Sequence, residues 1–204
     1  MPDKLYLKFG KRLLDLTVSV PGLIFVSPFL LLIGIFIKVN DRGPVFFLHT
    51  RVGKDFKLFE LCKFRTMVVN AENLGPGVTG QQDSRITGVG KWLRRFKLDE
   101  LPQLFNVIKG EMSLIGPRPE IERYVNLFRE DYQTILQIKP GITDYAALQY
   151  RHEEEILGRF ENIEQGYIQE ILPMKIRLYK KYIQEISLLT DLKILFRTLG
   201  SMVQ

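Results

Sequence analysis

A run of 22 residues without one charge, Leu16 to Ile37, constrains this chain more than any other feature. An ordinary domain of 204 residues has no need of so long an uncharged centre. At about 1.5 Å per residue the run suffices to cross a hydrocarbon layer roughly 30 Å thick. Ser27 and Pro28 stand near its middle. Proline lacks an amide hydrogen and its ring collides with the carbonyl four residues back, here that of Ile24. A helix is therefore expected to kink or break at Pro28, and the freed carbonyl needs a donor such as the Ser27 hydroxyl. Residues 16–26 and 28–37 then make two arms of about 15 Å each, able to enter one leaflet and return.

The flanks point the same way. Lys4, Lys8, Lys11 and Arg12 precede the run, and Lys38, Arg42, Arg51 and Lys54 follow it. Basic flanks prefer the cytoplasmic side, which a re-entrant hairpin satisfies at both ends; a single Pro-kinked crossing is the alternative. The run exceeds the roughly 7–15-residue core of a secretory signal, and Lys38-Val-Asn-Asp-Arg-Gly43 offers no small-residue cleavage pattern. The segment is expected to be retained, giving an anchor over 1–40 and a cytosolic domain over 41–204.

A net charge of +6 suits phosphorylated ligands, anionic headgroups or nucleic acid. Nucleic acid leaves the apolar run unexplained, and no recognition motif for it is present. Cys62 is the sole cysteine, and His49 and His152 are the only histidines, which excludes a disulfide framework and a Cys/His zinc site. The chemistry is expected to face a reducing compartment, the cytosol.

Beyond the anchor, Val45–Val52 and Phe56–Phe64 read as a β-hairpin across Gly53-Lys-Asp55, with Lys63 and Arg65 at its far end. Residues 67–73 suit a short helix. Gly75 to Gly80 is a loop by composition, either a lid or an inert surface segment. Val89, Trp92, Leu93 and Phe96 recur at helical spacing, with Lys91, Arg94 and Arg95 on other faces, so an amphipathic helix lies on headgroups, on the core, or on both. Gln103–Lys109 reads as a helix stopped by Gly110. Further helices are expected over 120–136 and 168–199, the latter broken at Pro173. Lys139–Thr143 reads as a turn, and Glu153–Glu155 as a solvated acidic patch. The fold class is α+β, predominantly helical, with a helix-break-helix anchor, a small hairpin and amphipathic interfacial helices around a cytosolic site.

Asp99 and Glu100 are the candidate chemical residues. Lys91, Arg94, Arg95 and Lys97 crowd the same turns, and an acid pair ringed by cations suits anionic phosphates. Near a helix N-terminus, Asp99 is expected to be held as the carboxylate; an isolated Asp-Glu is otherwise a helix cap. In Gly116-Pro-Arg-Pro119 two φ-locked prolines stiffen the backbone around Arg118.

The stretch Leu98-Asp-Glu-Leu-Pro-Gln-Leu-Phe-Asn-Val-Ile-Lys-Gly-Glu-Met-Ser-Leu-Ile-Gly-Pro-Arg-Pro119 resembles the signature of the bacterial sugar transferases, the monotopic phosphoglycosyl transferases. Lys11-Arg-Leu-Leu-Asp15, Ser27-Pro28, Lys63-Phe-Arg-Thr-Met67 and Asp191-Leu-Lys193 agree with it. The resemblance covers nearly the whole chain, and the length resembles that of minimal members, in which no added transmembrane or dehydratase-like module is expected. It implies transfer of a sugar 1-phosphate from a UDP-sugar to a polyprenyl phosphate such as undecaprenyl phosphate, with release of UMP, at the cytoplasmic face of a bacterial inner membrane. Asp99 would be the nucleophile of a covalent phosphosugar intermediate, and Mg²⁺ would be held by Asp99 and Glu100. Glu100 would hold the metal or steer the acceptor; Lys63, Arg94 and Arg118, and less directly Arg65, would grip phosphates; Ser27-Pro28 would make the anchor re-entrant. The segment after Thr143 departs from the family: Asp144-Tyr-Ala-Ala147 stands where many members have Gly-Trp-Ala-Gln, so Asp144 and Tyr145 are either specificity or core residues. The oligomeric state, monomer or homodimer, stays open. The competing class is a non-catalytic membrane-surface protein that binds anionic lipid.

Overall fold

The computed structural model describes residues 5–71, 74–75, 78–79 and 83–202. In chain order the elements are α1 (Lys11–Asp41), β1 (Phe46–Val52), β2 (Leu58–Phe64), α2 (Gly88–Arg95), α3 (Gln103–Lys109), β3 (Ser113–Ile115), α4 (Glu122–Leu127), α5 (Arg129–Ile135), β4 (Gly141–Thr143), α6 (Tyr145–Gln149), α7 (Glu153–Leu157), α8 (Ile163–Gly166), α9 (Leu172–Glu185) and α10 (Leu188–Met202). Helix predominates, and the sheets are small: an antiparallel β1–β2 hairpin and a parallel β3–β4 pair.

The apolar run lies within one 31-residue helix that carries Pro21 and Pro28 inside it. The local chemistry expected at Pro28 is present: Ser27 Oγ donates to Ile24 O at 2.8 Å, serving the carbonyl that proline leaves without its helical partner. One side of α1 is buried at Lys11, Asp15 and Ser19 and again at Leu30, Ile33 and Ile37, while Ile24, Phe25, Phe29, Leu31, Leu32 and Phe36 stand outward. Both ends of the helix dock on the rest of the chain. At the start, Lys11 Nζ lies 2.6 Å from Asp191 Oδ2, Arg12 donates to the carbonyls of Val107 and Ile108, and Asp15 accepts from Ser113 Oγ and Leu114 N. At the far end, Ile33 and Ile37 pack with Phe64 and Leu93.

The main apolar core joins α4, α5, α7 and α9 through Tyr124, Tyr132, Leu157, Ile176 and Tyr179. A second cluster joins β2, α3, β3, α9 and α10 through Leu61, Val107, Ile115, Tyr182 and Ile194. Several sequence expectations change in detail. Met67 forms an antiparallel bridge with Ile86 rather than starting a helix, and Asn70 has a positive φ of 61°. Residues 72–73, 76–77 and 80, parts of the expected short helix and loop, lie outside the described residues. The helix expected over 120–136 is divided at Phe128, whose ψ of 39° is not helical. Pro173 does not break the helix, because a π-helical turn, Tyr167–Ile171, leads straight into α9; the break comes instead at Ile186, with ψ 118°. Gly141–Thr143 is a strand because it pairs with β3, not a turn. A Cβ on Gly141 would lie 2.1 Å from Gly116 N, so only glycine permits that approach. This contact fixes the Gly116–Pro119 turn.

Candidate active site

After α2 the chain reverses at Lys97, whose φ of 55° lies in the left-handed region. Such a backbone costs a side-chain-bearing residue about 1 kcal/mol or more. Here it leads into a single 3₁₀ turn, Leu98–Glu100, and both carboxylates line a cavity of about 860 Å³.

The two acids have different partners. Arg118 grips Glu100 with both terminal nitrogens, Nη1 donating to Oε2 at 2.9 Å and Nη2 donating to Oε1, while Lys63 Nζ donates to Oε1 at 3.3 Å. Burial alone would raise the Glu100 carboxyl, but the Arg118 and Lys63 charges hold it well below the usual range. Asp99 is buried, and its Oδ1 has no hydrogen-bond partner among the described residues. Burial and then the Glu100 charge push its carboxyl upward, against Lys63, Arg94 and Lys97. This corrects the expectation of a dipole-stabilised carboxylate. α3 begins at Gln103, which leaves Asp99 outside its first turn, and the nearest cations are committed to Glu100.

Of the expected cations, Lys63, Arg94 and Arg118 all line the cavity. Arg94 Nε donates to Thr66 Oγ1 at 3.0 Å and Nη1 to Glu154 Oε1 at 2.9 Å. α2 reaches Thr66 because residue 90 is glycine: a Cβ there would lie 2.0 Å from Thr66 O. Arg65 also lines the cavity, but its Nε donates to Pro44 O at 2.6 Å, a contact that braces the turn leaving α1.

Asp144 is a buried support for Arg118. Its Oδ2 accepts from Arg118 N at 3.2 Å, and its Oδ1 accepts from Ala147 N at 2.6 Å, capping α6. Burial pushes its carboxyl up to about 6, against the Ala147 N–H and the Lys175 charge. Tyr145 instead donates to Glu185 Oε2 at 2.7 Å and packs edge-on against Tyr182. The acidic patch is not simply solvated: Glu153 pairs with Lys175 and Glu154 with Arg94, and only Glu155 turns to His152. His49 and Arg51 also line the cavity, which the alternation Phe47, His49, Arg51 on β1 makes legible as one strand face. Arg51 donates to Pro119 O at 3.2 Å, and burial, with Arg51 and Lys63 nearby, lowers His49 to about 4, so its ring is neutral at pH 7.

Among the described residues no group of three or more metal-ligating side chains forms. The donor set still suits magnesium, which is commonly bound by one or two carboxylates and completed by substrate phosphates and water. Asp99 offers an uncommitted oxygen, whereas both Glu100 oxygens are already occupied by cations.

The acid pair thus lies in a cation-lined cavity of a chain that carries one helix long and apolar enough to cross a membrane. The chain belongs to the bacterial sugar transferase family, whose sequence model matches residues 6–204. It is 35% identical over its whole length to a UDP-N-acetylgalactosamine-undecaprenyl-phosphate N-acetylgalactosaminephosphotransferase of Aeromonas hydrophila and covers 45% of that protein. With an undecaprenyl-phosphate glucose phosphotransferase of Komagataeibacter xylinus it shares 36% identity over 93% of its length, covering 35% of that relative. With the exopolysaccharide production protein ExoY of Sinorhizobium fredii it shares 33% identity, covering 84% of that relative. The chain thus spans less than half the length of the first two relatives.

Proposed function

We propose that this protein moves a sugar 1-phosphate from a UDP-sugar to a polyprenyl phosphate, undecaprenyl phosphate in a bacterium, releasing UMP as an early membrane step of polysaccharide assembly. The observation that carries the proposal is the division of labour in the acid pair: Glu100 is clamped by Arg118 and Lys63, and Asp99 keeps a buried oxygen without a partner among the described residues. A poorly solvated carboxylate is a competent nucleophile. Asp99 attacks the sugar-bearing phosphorus, the bond from that phosphorus to the UMP oxygen breaks, and UMP leaves. A polyprenyl phosphate oxygen then attacks the same phosphorus, the aspartyl–phosphorus bond breaks, and the carboxylate is regenerated. Lys63, Arg94 and Arg118 offset charge on the phosphoryl oxygens. Mg²⁺ held through Asp99, with Glu100 alongside, would supply further neutralisation of the diphosphate. Measured with UDP-sugar, undecaprenyl phosphate and Mg²⁺, UMP release should give parallel double-reciprocal lines and stop with chelator; intersecting lines would exclude the two-step route.

The same proposal places the catalytic domain on the cytoplasmic face of the inner membrane, with α1 as a monotopic, re-entrant anchor. Its support is that both ends of α1 pack on one domain, at Lys11 with Asp191 and at Ile37 with Phe64, whereas a crossing helix would carry one end to the opposite side. The outward face of α1, Trp92 on α2 with Phe96 just after it, and Phe196 and Leu199 on α10 supply apolar surface for the interface. Cysteines introduced as Leu5→Cys and Asn40→Cys are expected to stay unlabelled by an impermeant maleimide outside intact spheroplasts. Labelling of either one alone would establish a crossing.

A further inference from the structure

The cavity that holds the acid pair has a second polar wall that the phosphate chemistry leaves unused. Glu153 Oε2 accepts from Lys175 Nζ at 2.8 Å; Lys175 Nζ also lies 3.4 Å from Tyr167 OH; Tyr167 OH donates to Glu120 Oε1 at 2.5 Å; and Glu120 Oε2 lies 3.5 Å from Arg51 Nη1. All five side chains line the cavity. Their charges balance, two acids against two bases, whereas the acid pair sits among Lys63, Arg94, Arg95, Lys97 and Arg118. Cation excess suits phosphates. A charge-balanced wall of fixed donors and acceptors suits a neutral group rich in hydroxyls.

Connectivity places such a group here. Glu153 lines the cavity next in sequence to Glu154, the partner of Arg94, and its charge acts on Arg118. The Glu153 side chain is 25% exposed, and its Oε1 bonds to none of the described residues. Tyr150 and Tyr167 put aromatic rings on the same wall. In an in-line displacement the departing UMP lies opposite the attacking carboxylate. The sugar, a third substituent of the same phosphorus, therefore projects to one side. A nucleotide phosphate gains no net attraction from a wall whose acids and bases offset one another; a neutral hexose needs none.

We infer that the Glu153–Lys175–Tyr167 wall is the donor-sugar subsite and that Glu153 reads the sugar's hydroxyl or acetamido groups. This rests on the proposed transfer activity. The test measures kcat/KM for UMP release from UDP-glucose, UDP-galactose and UDP-N-acetylgalactosamine in wild type, Glu153→Gln and Glu153→Asp, along with product inhibition by UMP. Loss of one charged hydrogen bond should cut the preferred donor's kcat/KM roughly ten- to hundredfold in Glu153→Gln and change the ratio between donors by about tenfold or more. Glu153→Asp should recover part of the ratio, and UMP inhibition should stay within about twofold, because the nucleotide half is held elsewhere. An equal fall for all three donors, an unchanged ratio, or a weakened UMP constant would overturn the assignment while leaving the activity intact. A wild type silent with every donor would remove the activity itself, and the subsite with it.

Discussion

Asp99→Asn is expected to abolish UMP release, by roughly 10⁴-fold or more, as losses of a covalent nucleophile do. The amide fills the same volume and keeps an oxygen, but that oxygen is a poor nucleophile, so the loss is chemical and not one of folding. Mass spectrometry of wild type incubated with UDP-sugar in the absence of acceptor should find a phosphosugar adduct, and Asp99→Asn should give none. Glu100→Gln serves as the contrast. It frees Arg118 and Lys63 from their partner, so it should lower turnover while leaving the adduct detectable. Full activity in Asp99→Asn would end covalent catalysis at this residue, and an adduct mapped to Glu100 would reverse the roles of the pair.

Lys11→Met should destabilise the fold by about 3–5 kcal/mol, the usual result of stripping one partner from a buried ion pair. Asp191 has no exposed surface and accepts from Lys11, from Tyr6 at 2.6 Å and from Tyr182 at 2.7 Å; without the ammonium two phenols face an uncompensated charge. For a domain of this size that is a fall of between about 6 and 20 °C in Tm. Adding Asp191→Asn should recover part of the loss, because a neutral amide serves the tyrosines without a net charge. A double variant less stable than Lys11→Met alone, measured in the same detergent, would contradict this account.

The parts of the fold legible in the sequence were those set by local chemistry. The hairpin, the Gln103–Lys109 helix with its Gly110 stop, and the Ser27 bond to the Ile24 carbonyl all follow from spacing and backbone constraint. Arg94, Asp99 and Glu100 were legible together because they fall in one short stretch of unusual charge, whereas Lys63 and Arg118 joined them only through the family resemblance. What escaped depended on partners distant in sequence. Nothing local distinguishes Glu153 and Glu154 from solvated glutamates until Lys175 and Arg94 meet them. The state of Asp99 was misjudged because adjacency in sequence does not say which acid takes the cations. Gly141–Thr143 became a strand only through its pairing with Ser113–Ile115, 28 residues earlier.

The contact between Lys11 and Asp191 spans 180 positions of the chain. At bacterial elongation rates of about 5–20 residues per second, the ribosome needs roughly 10–40 s to make the second partner after the first. In the proposed topology the oily helix thus meets the bilayer while the aspartate that will neutralise its lysine does not yet exist. Final seating of the helix waits for the last stretch of translation, so nascent chains stalled before residue 191 should carry a loosely docked helix that proteases can reach.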